Sequence, residues 1–272
     1  MKVTAALAWY DEPLELLEAC VRGAAEIADK IVAVDGAYRR YPDAKPASPP
    51  AQAKLIRKTA AAVGLECDVV VPDKLWAGQV EKRSFLLERA AKGSDWIVPI
   101  DADHVIHANR EAARAELEEY ADEPLVVLLT VPFYTPKDPK RSIDDSAASH
   151  WHAGLAGKRI EHKHILRSMP GLRVERFHYW YTGVLSGTRV WVPFGIAPSV
   201  RRLGAAPYPV MDAQPLQAPY YVEHLTLQRD EKHILAGRAF CNDRVMVVKE
   251  TGQEDDVPGL PAPKWDYETV PY

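Results

Sequence analysis

Short apolar runs and helical apolar stripes alternate along the first half of the chain. Val3 to Trp9 has the length and character of a buried strand. From Leu14 the spacing changes to that of a helix, with apolar residues at Leu17, Val21, Ala24, Ala25 and Ala28. Pro13 suits the first turn of that helix. Ile31-Val32-Ala33-Val34 is a β-branched strand broken by Asp35-Gly36. Pro42, Pro46, Pro49 and Pro50 mark 42–50 as a loop. Helix, strand and helix are predicted at 51–63, 67–71 and 79–92, followed by a strand over Trp96–Ile100. Asn109 is placed to cap a helix reaching Tyr120, and Leu125 to Val131 reads as one more buried strand.

This alternation predicts an α/β domain with a mostly parallel central sheet and helices on both faces. Ligands of such sheets bind beyond the carboxyl ends of the strands. Residues 8–12, Asp35 and Asp101/Asp103 all fall at predicted strand ends and are expected to meet in one cleft. After residue 132 the pattern changes to a mixed region. Residues 135–160 read as loop, strand-like segments lie near 172–180, 184–192 and 220–227, and a helix is expected from Arg229 to Phe240. From Gly252 the tail reads as extended. With no repeat, low-complexity tract or clear linker, one domain is expected, in two halves at 1–132 and 133–251 with a tail at 252–272.

Composition narrows the classes. The chain has 272 residues, 47% hydrophobic, enough for a substantial core. A formal charge of -4 argues against a generally basic nucleic-acid binder while leaving room for a local basic groove. No run approaches the ~20 apolar residues of a membrane span. The N-terminus enters a strand pattern at once, without the layout of a signal peptide. Cys20, Cys67 and Cys241 are scattered and lack metal-pair spacing, as expected of reduced thiols in a cytoplasmic protein.

The chemistry concentrates at Asp101-Ala102-Asp103. Two carboxylates at the end of a buried strand are costly unless their charge is compensated. A divalent metal bridging to a phosphorylated ligand is one such compensation, since hard cations prefer oxygen ligands. His104 and His107 flank the triplet. His150/His152 and His162/His164 have the i, i+2 spacing that would share a strand face and make a zinc site conceivable, although both segments read as loop. Over 158–176 six basic residues stand against Glu161 and Glu175 and lead into Phe177-His178-Tyr179-Trp180-Tyr181. That combination fits either an acceptor groove for sugars, anionic groups or nucleic acid, or a basic surface followed by a core strand.

Four motifs occur in order: Ala8-Trp9-Tyr10-Asp11-Glu12, Val34-Asp35-Gly36, Glu81-Lys82-Arg83 and Trp96 to Asp103. Together they resemble the nucleotide-binding half of a GT-A-fold glycosyltransferase of the family 2 type, a Rossmann-like architecture. The resemblance spans roughly 1–110, with an echo at Glu223-His224-Leu225, Arg229 and Lys232, and no motif over 133–220. It implies transfer of a sugar from a nucleotide-sugar, UDP-sugar favoured and GDP-sugar possible, with Mn2+ or Mg2+. The acceptor is open: glycan, protein, small molecule or modified nucleic acid.

By that resemblance Asp103 is the principal metal ligand, and Asp101 contacts the ribose or supports the metal through water. His224 supplies a third ligand, or is a hydrogen-bonded core histidine. Ala8, Tyr10 and Glu12 border the nucleoside. Tyr10 stacks on the base or merely packs, and Glu12 has the alternative of a helix N-terminal acid. Asp35 bonds the base or ribose, or simply starts a turn with Gly36. Arg83 approaches the nucleotide, or forms a solvated pair with Lys82. Arg229, with Lys232 and His233, reaches the diphosphate or forms a solvated helix face. For a catalytic base, Asp144-Asp145, Glu161 and Glu175 are candidates. None follows the family's acidic pattern, so stereochemistry is open. Competing classes are a nucleotidyltransferase, disfavoured because Trp9-Tyr10-Asp11-Glu12-Pro13 replaces a Gly-rich loop, a metal-dependent hydrolase built on the histidine pairs, and a non-catalytic carbohydrate-binding protein.

Overall fold

A computed structural model describes residues 1–121, 128–134, 159–176, 180–185, 187–192, 199–201, 207–209, 220–225, 229 and 236. The first half follows the expected alternation: β1 (Val3–Ala8), α1 (Leu14–Ala24), β2 (Lys30–Val34), α2 (Pro50–Ala62), β3 (Glu66–Val70), α3 (Gln79–Ala90) and β4 (Trp96–Asp101). Then come β5 (His104–Ala108), α4 (Arg110–Glu119), β6 (Leu128–Tyr134), β7 (Arg159–Arg167), β8 (Arg173–Arg176), β9 (Trp180–Leu185), β10 (Thr188–Val192), β11 (Ser199–Arg201), β12 (Pro207–Pro209) and β13 (Tyr220–His224).

Eight strands form the central sheet in the order β3-β2-β1-β4-β7-β6-β13-β5. β1 pairs in parallel with β2 and β4, and β2 with β3. β7 runs antiparallel between β4 and β6. β13 is parallel to β6, and β5 closes the edge antiparallel to β13. The sheet is therefore mostly parallel, with β7 and β5 reversed. β8, β9 and β10 form a separate antiparallel sheet, and β11 pairs with β12.

Alternation along the parallel strands splits the core between two faces. Leu7, Trp9, Ile31, Ala33, Val98 and Ile100 pack with Leu17 and Val21 of α1, Ile56 of α2 and Leu117 of α4. Ala6, Ala8, Val32, Val34 and Ile97 pack with Leu86, Leu87 and Ala90 of α3, and with Val174 and Tyr181 of the small sheet. Helices thus cover both faces. Each fully buried Leu or Ile contributes about 1.5–3 kcal/mol relative to its exposed state, so this two-sided packing anchors the strand ends. α1 lies so close to β5 that a Cβ at Gly23 would stand 2.6 Å from the Ile106 nitrogen. Asn109 caps α4, its side chain accepting from the Ala112 N–H at 3.0 Å.

Four strands were not expected: β5, β7, and the short β11 and β12. β5 follows the acidic triplet directly. β7 occupies 159–167, where the segment around His162 and His164 reads as loop in the sequence, so these two histidines lie on a strand. Residues 135–158, with Asp144, Asp145, His150 and His152, lie outside the described residues. So do 177–179, all but two positions of the helix expected over 229–240, and the tail 252–272. Among the described residues no helix is long and apolar enough to cross a membrane.

Candidate metal centre

β1, β2 and β4 end at one edge of the sheet, Ala8 pairing with both Val34 and Asp101. The segments 9–12, 35–36 and 101–103 therefore meet, as the strand-end reading expected. Asp103 sits in the turn between β4 and β5. Its carbonyl accepts from the Leu225 N–H at 2.7 Å, which ties the turn to the end of β13. The β5/β13 ladder sets His104 opposite His224, with ring centroids 5.1 Å apart. His224 Nε2 lies 3.3 Å from Asp103 Oδ2 and His104 Nε2 lies 3.9 Å from Oδ1. One ligand atom from each of Asp103, His104 and His224 falls within 4.8 Å of the others, a group able to hold a metal ion.

Asp103 is 2% exposed. Burial opposes its ionisation, but the Arg229 guanidinium and the His224 imidazole outweigh burial and hold the carboxyl well below the usual carboxylate range. Asp103 is thus a carboxylate, the form a metal requires.

Asp101, expected to contact the ribose or to support the metal, is not part of this group. Asp101 ends β4 while Asp103 belongs to the turn, and Arg83 Nη2 donates to Asp101 Oδ1 at 2.7 Å. His104 takes the vacant place, but the Asp101 N–H donates to His104 Nδ1 at 3.2 Å. That bond assigns the proton of a neutral ring to Nε2. Coordination through Nε2 would need the other tautomer and would set two N–H groups against each other. Asp103 and His224 are therefore the stronger candidate ligands, with His104 beside them.

Arg229 is not on a solvated face. Its Nε donates to Glu12 Oε2 at 2.8 Å and its Nη2 to Glu12 Oε1, while Nη1 reaches Asp103 Oδ2 at 3.0 Å. Glu12 is accordingly more than a helix N-terminal acid: it anchors a cation 217 positions away. The solvated reading of Lys82 and Arg83 is also corrected. Lys82 is 2% exposed, and its Nζ donates to the carbonyls of Trp9 at 2.7 Å and Gly36 at 2.8 Å, stapling the end of β1 to the end of β2. Burial pushes its ammonium down to about 7, with Asp35 offsetting part of the effect. Sequence reasoning missed Lys82 as a site residue. The available signal was its place four residues before Leu86 on the buried stripe of α3.

Asp35 is 1% exposed. It accepts from Gly36 N at 2.6 Å, from Ser48 N at 2.8 Å and from Ser48 Oγ. Burial raises its carboxyl despite these bonds. It closes the loop 36–48 from beneath instead of presenting an oxygen to the cleft. Gly36, at φ 104°, permits this closure: a Cβ there would lie 2.6 Å from the Pro46 carbonyl oxygen.

Above that loop opens a cavity of about 520 Å³ lined by Tyr10, Asp11, Tyr41, Pro42, Lys45 and Ser48, among others. Tyr10 Oη accepts from Lys45 N at 2.9 Å, and its ring meets Tyr41 edge-on at 5.5 Å. Asp11 (φ 48°) and Asp43 (φ 51°), the non-glycine residues with left-handed backbone among those described, both border the cavity. Such backbone is uncommon and clusters at ligand sites. Ser48 Oγ accepts from Asp11 N at 2.8 Å, so Asp35 supports the cavity wall through Ser48. Ala8, expected beside the nucleoside, packs its side chain into the α3 face of the core. Glu161 and Glu175 fall on β7 and β8, and their side chains lie outside the described residues.

No family model matches the chain, and no curated protein matches it.

Proposed function

We propose that this protein is a metal-dependent glycosyltransferase with a GT-A-like fold, moving a sugar from a nucleotide-sugar, UDP-sugar favoured, to an acceptor. The observation that carries the reading is the juxtaposition, at one edge of the sheet, of the Asp103/His224 group and the Tyr10/Tyr41 cavity, joined through Glu12 and Arg229. The donor set fits a divalent ion: an ionised carboxylate with an imidazole nitrogen suits Mn2+ better than Mg2+, which prefers an all-oxygen shell. Such an ion would supply Lewis-acid stabilisation of the leaving diphosphate. Asp103 and His224 would hold it. Tyr10 offers an aromatic face for the base, and Arg83 orients Asp101 through its hydrogen bond to Oδ1. Glu161 and Glu175 remain the proposed acceptor-side bases.

The reading is tested by thermal-shift titration with UDP, GDP and ADP, with and without Mn2+. Ligand binding to the native state raises its melting temperature by mass action. The expected result is a Mn2+-dependent rise with UDP that ADP does not reproduce. Asp103→Ala should keep the fold and abolish metal-dependent donor hydrolysis or transfer. Unchanged turnover in that variant would sink the proposal.

A further inference from the structure

We propose that Arg229 is the resident counter-ion of the metal site, and that a divalent ion and the Arg229 guanidinium are alternative partners for the same oxygen of Asp103. The proposal rests on the metal reading of Asp103 and His224. Arg229 Nη1 and His224 Nε2 both converge on Asp103 Oδ2, at 3.0 and 3.3 Å. An ion taken up by that oxygen and the imidazole meets a guanidinium already against the same atom. Like charges so close in a buried setting repel strongly, so the pair must loosen for the ion to settle.

The sequence supplies a second anchor that makes this exchange possible. Glu12 holds the Nε/Nη2 edge of the guanidinium, and Asp103 meets Nη1. Releasing Asp103 therefore leaves Arg229 paired and in place. Metal uptake thus exchanges the Asp103 contact of Arg229 while its Glu12 contact persists.

The test reads Mn2+ affinity directly, by electron paramagnetic resonance of free Mn2+, without nucleotide. Arg229→Met should bind Mn2+ about tenfold more tightly than the unaltered protein, the size of a modest coupling between two ligands. Low-millimolar guanidinium should restore the weaker binding. Arg229→Lys, whose single ammonium cannot hold Glu12 at two points and reach Asp103, should fall between the two and serves if the methionine variant does not fold. Equal or weaker Mn2+ binding in folded variants overturns the exchange and leaves the metal reading standing. Absence of Mn2+ binding in every form, the unaltered protein included, overturns both.

Discussion

At the end of β2, the buried carboxylate of Asp35 takes its hydrogen bonds from Gly36 and Ser48, neutral donors of its own loop. At the end of β4, the equally buried Asp103 faces Arg229 and His224, which the chain delivers more than a hundred positions later. Desolvation raises both carboxyls. It wins at Asp35, where the bonds from Ser48 and Gly36 and the charge of Lys82 only partly offset it, and loses at Asp103, where Arg229 and His224 both lie against the carboxylate. Donors fixed within one loop define a geometry, and no other group can replace them. A carboxylate balanced by a cationic side chain that keeps a second partner in Glu12 is one at which another cation could compete. The β2 end therefore has the character of scaffold and the β4 end that of a site.

The contrast is broken or sharpened most strongly by matched Asp→Asn changes. Asp103→Asn removes the ligand charge, and Mn2+ affinity should fall more than ~100-fold, beyond the range typical of losing an outer partner. Asp35→Asn turns an amide N–H₂ toward groups that already donate. It should cost about 2–4 kcal/mol in urea denaturation while Mn2+ affinity stays near that of the unaltered protein. If folded Asp35→Asn loses Mn2+ binding, the division between scaffold and site is wrong.

A smaller effect is expected from Lys82, the staple beneath the β2 end. Its folded value of about 7 lies below its ordinary 10.5. Between those values the unfolded chain binds more protons than the folded one, so stability rises with pH across the window and is lost as pH falls toward about 7. Denaturation at about pH 7 and pH 9 checks this while the tyrosines stay neutral. Lys82→Met should remove the rise.

Much of this was legible in the residues. β1, β2, β4, α1, α2 and α3 lie within a few residues of their predicted bounds, because strands buried on two faces write continuous apolar runs. β7 was not legible: Arg159, Glu161, His162, Lys163 and His164 hide any apolar period. β5 was missed because it begins directly after the triplet and, among the described residues, pairs only with β13, far along the chain. In the site, Asp103 and His224 could be singled out by residue type and position. Lys82 could not while charge was equated with exposure, and the pairing of Glu12 with Arg229 has no local trace.

The smallest predicted effect asks whether the two strand ends are independent at all. Ser48 Oγ donates to Asp35 and accepts from the Asp11 N–H; Asp11 precedes Glu12, which holds Arg229 against Asp103. A continuous path thus links the scaffold carboxylate of Asp35 to the candidate metal-binding carboxylate of Asp103. Ser48→Ala cuts it at one atom, leaving the Ser48 N–H on Asp35 and the Asp11 N–H without its acceptor. The cost should be about 1–2 kcal/mol. If the ends act separately, Mn2+ affinity should move by less than about threefold, since Glu12 keeps both oxygens on Arg229. A larger change, absent when Ser48→Ala is made on an Arg229→Met background, would show that the β2 loop sets the position of Arg229, and the site would then extend to Asp35 itself.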